Sequence, residues 1–266
     1  MTRLGPDDDM AKADCLWTLR APDPAPCHGG CGARVVGSYC PACAATRIAN
    51  EQRAEAVELV RAALAHIPTE WRVVAFDDRV EAAPADGLHP VSKCLANLAA
   101  ARGAQRLCAP AYLPLFTVLL GAAGAGKTSL AAAMYRAIVE RAHGPRATSA
   151  QGGAADIERA RRAFWTSAYA PAKARAEVPL GKGEAPLVDR CIYASLLVID
   201  DFAEEPVRSS AMSEIVIERF ASHRPTILTT KRREAEVAKH YPVDPEGITR
   251  RVYSAKTSKL IPCGAP

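Results

Sequence analysis

Apolar residues repeat along the chain with helical spacing in some segments and form short continuous runs in others. Between residues 50 and 67, Ala54, Val57 and Leu64 recur at helical spacing, and Pro68 follows them. Since proline does not continue a helix, this pattern predicts a helix over residues 50–67. A shorter helical pattern near residues 93–102 lies in a proline-containing stretch that we interpret as a linker leading into the next domain.

Short apolar runs bounded by polar residues are typical of strands that are buried on both faces. We predict such strands at Leu115–Leu120, Leu196–Ile199, Pro225–Thr230 and residues 162–168. A helical pattern from Lys127 to Ala142 follows the first of them. Strands that alternate with helices predict an α/β fold with a parallel sheet.

The segment between the first strand and its helix has the spacing Gly-x4-Gly-Lys-Thr. In this strand–loop–helix context, glycines let backbone N–H groups surround phosphates, and the helix N-terminus adds the positive end of its dipole. Lys127 would reach the β- and γ-phosphates, and the Thr128 hydroxyl would bind Mg²⁺. The residues predicted to bind ATP are Gly121, Ala122, Ala123, Gly124, Ala125, Gly126, Lys127, Thr128 and Ser129.

Polar side chains end two further strands. Asp200 and Asp201 follow one apolar run, and Thr229 and Thr230 end another. Parallel strands place their carboxyl ends at one edge of a sheet, where ligands bind. We therefore predict that Asp200, with Thr128, holds Mg²⁺ and that Asp201 orients the attacking water. Thr229 or Thr230 would contact either the γ-phosphate or the attacking water.

Two adjacent arginines near the end of the chain, Arg250 and Arg251, are candidates for a further catalytic role. An arginine that reaches the γ-phosphate bound to a neighbouring subunit stabilises transition-state charge. The alternative is a surface pair on a helix.

Four of the nine cysteines lie in two close pairs, Cys27-x3-Cys31 and Cys40-x2-Cys43. This spacing is typical of a tetrahedral structural zinc site, since each pair fits a tight turn and thiolates suit the ion. His28 is an alternative ligand, but it would leave one cysteine unused. Four thiolates leave no position open for water, so we do not expect catalysis at this zinc.

Composition and charge limit the class of protein. Apolar residues make up 49% of the chain, which is enough for a core, but no stretch reaches the roughly 20 apolar residues that a membrane helix needs. The N-terminus is polar and acidic rather than signal-like, so we expect a cytoplasmic protein. The net charge of +5 is uneven: residues 219–259 carry ten Lys and Arg against four Asp and Glu. Such asymmetry favours a polyanionic partner, although solvated helix faces are an equal alternative.

Five segments in one order resemble the bacterial and phage helicase-loader ATPases of the AAA+ superfamily. They are IPTEWRVVAF, GAAGAGKTS, ASLLVIDDF, RPTILTTK and GITRRVYS, and they span roughly residues 66–260. The ATP-binding helper proteins of certain transposons belong to the same group. The resemblance implies a P-loop NTPase with an AAA+ core, a parallel sheet flanked by helices, in residues 66–266. A small zinc-binding module in residues 1–65 would precede it.

The same resemblance implies roles for individual residues. Thr229 or Thr230 would take the sensor position, and Arg250 or Arg251 would be the arginine finger. The zinc module would dock on the partner, a replicative DNA helicase. The fifteen residues that follow Arg251 are too few for a full helical lid.

We therefore expect an ATPase that loads a replicative helicase onto single-stranded DNA and forms a homo-oligomer with ATP, using ATP, Mg²⁺ and Zn²⁺ as cofactors. One alternative is a transposition helper that binds DNA and activates a transposase; the zinc module favours the loader. Another is a small-molecule kinase with Arg159, Arg161 and Arg162 in a lid. The two acids after the strand, together with Thr229, favour hydrolysis over transfer to a metabolite.

Overall fold

The computed structural model describes residues 25–35, 38–82, 84–95, 97–109, 113–141, 153–179, 181–206 and 211–264. Residues 1–24 of the predicted zinc module and the predicted helix end at Ala142 lie outside these ranges. Contacts between residues divide the chain into two compact units, Met1–Arg53 and Ala54–Pro266.

The first unit is built around a short hairpin and the start of a long helix. Strands β1 (Ala25–Pro26) and β2 (Arg34–Val35) pair antiparallel, and helix α1 (Pro41–Leu64) follows. The helix begins at Pro41 and not at residue 50 as predicted. A proline is well suited to the first turn of a helix, where its missing N–H has no intrahelical partner to lose. The apolar spacing identified the helix, but not this start.

The second unit contains a five-stranded parallel sheet with helices on both faces. Its strands and helices are β3 (Val74–Ala75), α2 (Asp77–Ala82), β4 (His89–Pro90), α3 (Leu98–Leu107), β5 (Phe116–Leu120), α4 (Lys127–Glu140), α5 (Gly153–Arg161), β6 (Ala163–Ser167), α6 (Tyr169–Glu177), α7 (Pro186–Tyr193), β7 (Leu196–Asp200), α8 (Ala211–Ala221), β8 (Thr226–Thr230), α9 (Glu234–His240), α10 (Pro245–Tyr253) and β9 (Ser258–Pro262). Short 3₁₀ turns occupy Thr69–Trp71, Pro84–Asp86 and Val91–Cys94.

The order of strands in the large sheet is β6-β7-β8-β5-β9, and all neighbours are parallel. Leu120 pairs with Thr230, and Ser167 pairs with Asp200. The carboxyl ends of these strands therefore lie at one edge, as predicted. The four predicted strands are confirmed as β5, β6, β7 and β8.

The sheet is buried on both faces. Neighbouring residues of a strand point to opposite faces, so the burial of consecutive residues shows that both faces are covered. On β7, Leu196 and Val198 belong to one apolar cluster with residues of α4, whereas Leu197 and Ile199 belong to a second cluster with residues of α8. All four side chains are fully buried. This arrangement explains why the strands are continuous apolar runs in the sequence.

Two elements differ from the prediction or were missed. The helical pattern near residues 93–102 forms a 3₁₀ turn at Val91–Cys94 and then α3, which begins after Asn97; the Asn97 side chain accepts a hydrogen bond from the N–H of Ala99 at 3.0 Å. Strand β9 was not predicted. Two of its five residues, Lys259 and Leu260, are exposed consecutively at the edge of the sheet, so it lacks the apolar run that marks a buried strand.

Candidate nucleotide and metal sites

The loop between β5 and α4 has a backbone that only glycine adopts easily. Gly124 and Gly126 have φ angles of 76° and 84°, in the left-handed region. A Cβ at Gly126 would lie 2.1 Å from the carbonyl oxygen of Cys94. Gly126 is therefore required by both its φ angle and the close approach of another segment.

The tip of this loop is open to solvent, whereas its helical end is buried. Ala122, Ala123 and Gly124 are exposed, and the Ser129 side chain is buried in the first turn of α4. The Lys127 side chain is also largely buried, and its Nζ donates to the carbonyl oxygen of Ala122 at 2.9 Å. An ammonium group and the free N–H groups of a helix start thus face the same loop, an arrangement that suits an anion such as a phosphate.

Two threonine hydroxyl groups converge on the carboxylate that ends β7. Thr128 Oγ1 donates to Asp200 Oδ1 at 3.1 Å, and Thr229 Oγ1 donates to the same oxygen at 2.5 Å. Burial raises the pKa of the Asp200 carboxyl, and the hydrogen bond from Thr229 acts in the opposite direction. The structure therefore brings together three of the predicted site residues from β7, β8 and α4.

Asp201 continues from this cluster into a tight turn. Its φ angle is 55°, its side chain is exposed, and its backbone N–H donates to Thr229 Oγ1 at 2.9 Å. Thr229 thus links the two aspartates. Thr230 is different: its buried hydroxyl donates to the carbonyl oxygen of Phe202 at 2.9 Å and accepts from the N–H of Arg232. Of the two threonines left open by the sequence, only Thr229 has its hydroxyl at the aspartates.

The two candidate arginines lie in the last turn of α10 and have different surroundings. Arg251 contacts Asp244 Oδ2 at 3.4 Å and lies over the ring of Phe220. Arg250 is exposed and has no ion pair with another described residue. Neither arginine forms a hydrogen bond with the P-loop or Asp200 within the described ranges. The structure of one chain therefore does not bring them to the nucleotide site.

The three arginines that we considered for a kinase lid lie elsewhere. Arg159 and Arg161 are at the end of α5, and Arg162 directly precedes β6. Since strands are parallel, the start of β6 is at the edge of the sheet opposite to Asp200. They are not brought to the P-loop.

The four clustered cysteines form the second candidate site. Their Sγ atoms all lie within 4.8 Å of one another, and Cys31 Sγ is 3.5 Å from Cys40 Sγ. Zinc–sulfur bonds of about 2.3 Å place tetrahedral sulfurs at comparable separations. A Cβ at Gly29 would lie 2.5 Å from Cys43 Sγ, so the chain needs glycine there to close around the sulfurs. The residues present therefore fit a structural zinc ion.

Backbone N–H groups support this sulfur cluster. The N–H groups of Cys40 and Gly29 donate to Cys27 Sγ at 3.2 and 3.4 Å, and that of Cys43 donates to Cys40 Sγ at 3.4 Å. The Cys40 N–H lowers the pKa of the Cys27 thiol to about 7, whereas the neighbouring Cys31 side chain raises the pKa of Cys43 to about 12. Donors of this kind stabilise the thiolates that bind zinc.

Two segments that the sequence patterns did not indicate lie against the P-loop, one before α3 and one after β9. The Cys94 carbonyl lies against Gly126, and a Cβ at Gly121 would lie 3.2 Å from the backbone nitrogen of Gly264. Asn97 Nδ2 donates to the carbonyl oxygen of Pro262 at 3.2 Å and joins these two flanking segments. Backbone contacts of this type leave no signal in residue type or spacing.

The parallel sheet, the loop and the acid at the end of β7 fit a single architecture. They are the arrangement of a P-loop NTPase fold. The parallel sheet flanked by helices that the sequence resemblance implies is therefore confirmed, and a four-cysteine cluster precedes it in the chain.

Comparisons with known proteins bear on the fold alone. No family model matches the chain, and the comparison with curated proteins finds no match either. Among solved structures, the chain is similar to the crystal structure of DnaI, with 22% identity and a TM-score of 0.45 over 62% of this chain and 83% of that one. It is also similar to AMPPCP-bound DnaA from Aquifex aeolicus, with 17% identity and a TM-score of 0.43 over 62% of this chain and 45% of that one.

Helices long and apolar enough to cross a membrane do not occur among the described residues.

Proposed function

We propose that the chain is an ATPase that binds ATP with Mg²⁺ at the carboxyl edge of its sheet. The hydrogen bond of 3.1 Å between Thr128 and Asp200 carries this proposal. A hydroxyl at the start of α4 and a carboxylate at the end of β7 are the pair that holds Mg²⁺ in P-loop NTPases. Magnesium, when bound, would neutralise charge on the phosphate oxygens.

Each residue of the site has a role in this proposal. The N–H groups of residues 121–129 bind the phosphates, and the Lys127 ammonium moves from the Ala122 carbonyl to a phosphate oxygen. Asp201, exposed at the end of β7, and the Thr229 hydroxyl orient the attacking water. Since Thr229 already contacts Asp200 and the N–H of Asp201, it also fixes the positions of both acids.

We assign the arginine finger to Arg250. Its guanidinium is exposed, whereas Arg251 contacts Asp244 on its own helix. Arg250 would break no ion pair with a described residue of its own chain on reaching a neighbouring subunit, whereas Arg251 would leave Asp244. The proposal therefore includes a homo-oligomer in which Arg250 of one subunit completes the site of the next.

The biological role that we favour is loading of a replicative helicase onto single-stranded DNA. The sequence resemblance to helicase loaders supports it, and the cysteine cluster provides a separate module for docking on the helicase. The zinc ion would be held by Cys27, Cys31, Cys40 and Cys43. A transposition helper, with the same ATPase and a transposase as its partner, remains the alternative. The kinase alternative is less favoured, because the arginines it needs lie at the opposite edge of the sheet.

The central experiment measures ATP hydrolysis with and without single-stranded DNA. We expect Lys127→Ala to reduce hydrolysis by about a hundredfold or more, because the ammonium stabilises charge on the phosphates. Lys239→Ala removes an exposed lysine from α9 and is the matched control. Equal rates for Lys127→Ala and Lys239→Ala would contradict the assigned site. Turnover that depends on a small-molecule acceptor would favour the kinase instead.

Mixing of subunits tests the assignment of the arginine finger. Arg250→Ala alone and Lys127→Ala alone should both be inactive, whereas their mixture should regain part of the activity. In mixed oligomers, an intact Arg250 from one variant meets an intact Lys127 from the other. Arg251→Ala should keep most of the activity. Inactive mixtures, or a larger loss for Arg251→Ala, would argue against a finger from Arg250.

The docking role of the cysteine module is tested with the full chain. Cys40→Ser combined with Cys43→Ser should abolish capture of the replicative helicase and leave basal ATP hydrolysis unchanged. Capture of the helicase at wild-type levels by this variant would contradict docking through the module. A transposase captured in place of the helicase would favour the transposition alternative.

A further inference from the structure

Arginines gather at the amino edge of the sheet, opposite to the P-loop. Arg161 and Arg162 directly precede β6, and Arg224 lies two residues before β8. Arg190 lies on α7, and Tyr193 is the last residue of that helix. These five residues, Arg161, Arg162, Arg190, Tyr193 and Arg224, are the amino-edge patch.

Part of the patch surrounds a small recess. It has a volume of about 190 Å³ and is lined by Arg161, Arg162, Ala163, Arg190, Tyr193 and Ala194. Three arginines and one tyrosine therefore line a common space. Tyr193 is 54% exposed, so part of its ring is open to solvent.

Positive charge in the patch exceeds negative charge. Arg161 and Arg162 share Glu158, and Arg161 also contacts Glu55. Arg190 instead lies 4.0 Å from the ring centre of Phe164 and 2.7 Å from His66 Nε2. Burial lowers the pKa of His66, so this imidazole is neutral at physiological pH and does not repel Arg190.

Arg224 likewise has uncharged partners. It lies over the ring of Tyr193 at 5.1 Å and donates to the carbonyl oxygen of Ile192 at 2.7 Å. Within the described ranges, no carboxylate lies at ion-pair distance from Arg190 or Arg224. Both guanidinium groups therefore keep donors and charge for another anion.

A further arginine lies beneath the patch. Arg219 is fully buried and donates to the carbonyl oxygens of Cys191, Ile192 and Ala194, in the turn that carries Tyr193. Burial lowers its pKa to about 9, so the group stays protonated at neutral pH. It fixes the turn and adds positive potential under the recess.

We propose that the amino-edge patch binds single-stranded nucleic acid, with phosphates at the arginines and a base stacked on Tyr193. Guanidinium groups bind phosphate oxygens in pairs, and aromatic rings stack on bases whatever their sequence. An acidic peptide would also bind the arginines, but it would leave the exposed ring without a role. This inference deepens the nucleic-acid part of the proposed function and rests on it.

The test is binding of fluorescently labelled oligo(dT) to the full chain at several salt concentrations. Arg190→Gln combined with Arg224→Gln should weaken binding about tenfold at low salt and reduce the slope of log K against log salt by about 1.4, or about 0.7 for each lost phosphate contact. The matched control is Arg102→Gln combined with Arg106→Gln, which removes two exposed arginines from α3. Helix α3 contacts β9, at the other end of the sheet.

A second variant tests the ring. Tyr193→Leu keeps an apolar side chain but removes the stacking surface, and it should weaken oligo(dT) binding about 5- to 100-fold. The salt slope should stay unchanged, because no phosphate contact is lost. Binding of polyglutamate, used as an acidic-peptide probe, should also be unaffected by Tyr193→Leu. Thermal melting and basal ATP hydrolysis should match wild type in all patch variants.

Several results would overturn the inference. Equal weakening by the α3 control, or wild-type binding by both patch variants, would show that the patch is not the site. Loss of polyglutamate binding with oligo(dT) binding intact would assign it to an acidic peptide. These outcomes leave the proposed function standing. A wild-type chain that fails to bind oligo(dT) with or without ATP would contradict the DNA-loading role itself.

Discussion

The folded state of each of the two units is stabilised by a different kind of interaction. Among the described residues of the first unit, the only buried apolar side chains are those of Cys27 and Cys40. The second unit has an apolar cluster on each face of its sheet. A unit with so little apolar burial needs another source of folding free energy, and a metal ion bound by the four cysteines would supply it. The first unit should therefore depend on zinc, and the second on packing.

The largest expected effect is the loss of the metal. Cys40→Ser combined with Cys43→Ser should abolish zinc binding and unfold residues 25–53, since structural zinc contributes about 10–16 kcal/mol to such modules. Metal analysis and hydrogen exchange of this segment measure the two effects. Cys94→Ser, outside the cluster, is the control. Unchanged zinc content in the double variant would refute the ligand set.

A substitution in the apolar core should destabilise the second unit and leave zinc binding by the first unit unchanged. Leu197→Ala removes a fully buried side chain from β7 and should lower the free energy of unfolding of the second unit by about 2–5 kcal/mol, measured in urea. Zinc content should not change. Leu260→Ala, on the 52% exposed position of β9, should cost less than about 0.5 kcal/mol. Similar losses for both variants would mean that burial does not determine the stability of the sheet.

Substitutions at two glycines of the P-loop distinguish the cost of backbone strain from the cost of a steric contact. Gly124→Ala and Gly126→Ala both place a Cβ on a left-handed residue, at a cost of about 1–2 kcal/mol. Only at Gly126 does the Cβ meet another segment, the Cys94 carbonyl, so this variant should lose about 2–4 kcal/mol in total. Denaturant midpoints of the two variants provide the comparison. Equal losses of stability in the two variants would contradict a steric contact between a Cβ at residue 126 and the Cys94 carbonyl.

The smallest effect concerns a buried acid in the second unit. The Glu205 side chain is fully buried, accepts a hydrogen bond from the Tyr241 hydroxyl and lies 3.6 Å from His240 Nε2. Burial raises the pKa of Glu205 above its ordinary 4.5 and lowers the pKa of His240. For Glu205, the folded state holds the proton more tightly than the unfolded state, so its contribution to stability falls as pH rises through this window.

Glu205→Gln removes this titration. The melting temperature of the variant relative to wild type should therefore rise by a few degrees as pH increases from about 4.5 towards neutral. Exposed Glu246→Gln is the control and should show no such trend. A difference between Glu205→Gln and wild type that stays constant with pH would contradict a raised pKa at this carboxyl.

The sequence predicted the parts of the fold that depend on spacing and strand burial. Leu196–Ile199 is a run of apolar residues because both faces of β7 are covered, and Thr128 and Asp200 could be paired because parallel strands end at one edge. The start of α1 and strand β9 could not be predicted in this way. Pro41 is compatible with a turn as well as a helix start, and β9 is an edge strand with an exposed middle.

The choice within each residue pair also needed the structure. The sequence favoured Thr229 but left Thr230 open for the sensor position, and it left Arg250 and Arg251 as equal candidates for the arginine finger. In the structure, the Thr229 hydroxyl contacts Asp200 and the Asp201 N–H, whereas the Thr230 hydroxyl donates to the Phe202 carbonyl. These contacts, and the clustering of arginines at the amino edge, depend on which segments the fold brings together. They cannot be predicted from residues that are neighbours in the sequence.

Thr230 joins several segments through hydrogen bonds. Its carbonyl oxygen accepts from the N–H of Gly121, and its hydroxyl contacts both Phe202 and the N–H of Arg232. The Arg232 carbonyl in turn accepts from the Tyr253 hydroxyl at 3.0 Å, on the same helix as Arg250. An unbroken series of polar contacts thus leads from the loop before α4 to α10, the helix that carries Arg250. In the proposed homo-oligomer, these contacts would connect the first glycine of that loop with the helix whose arginine reaches the next subunit.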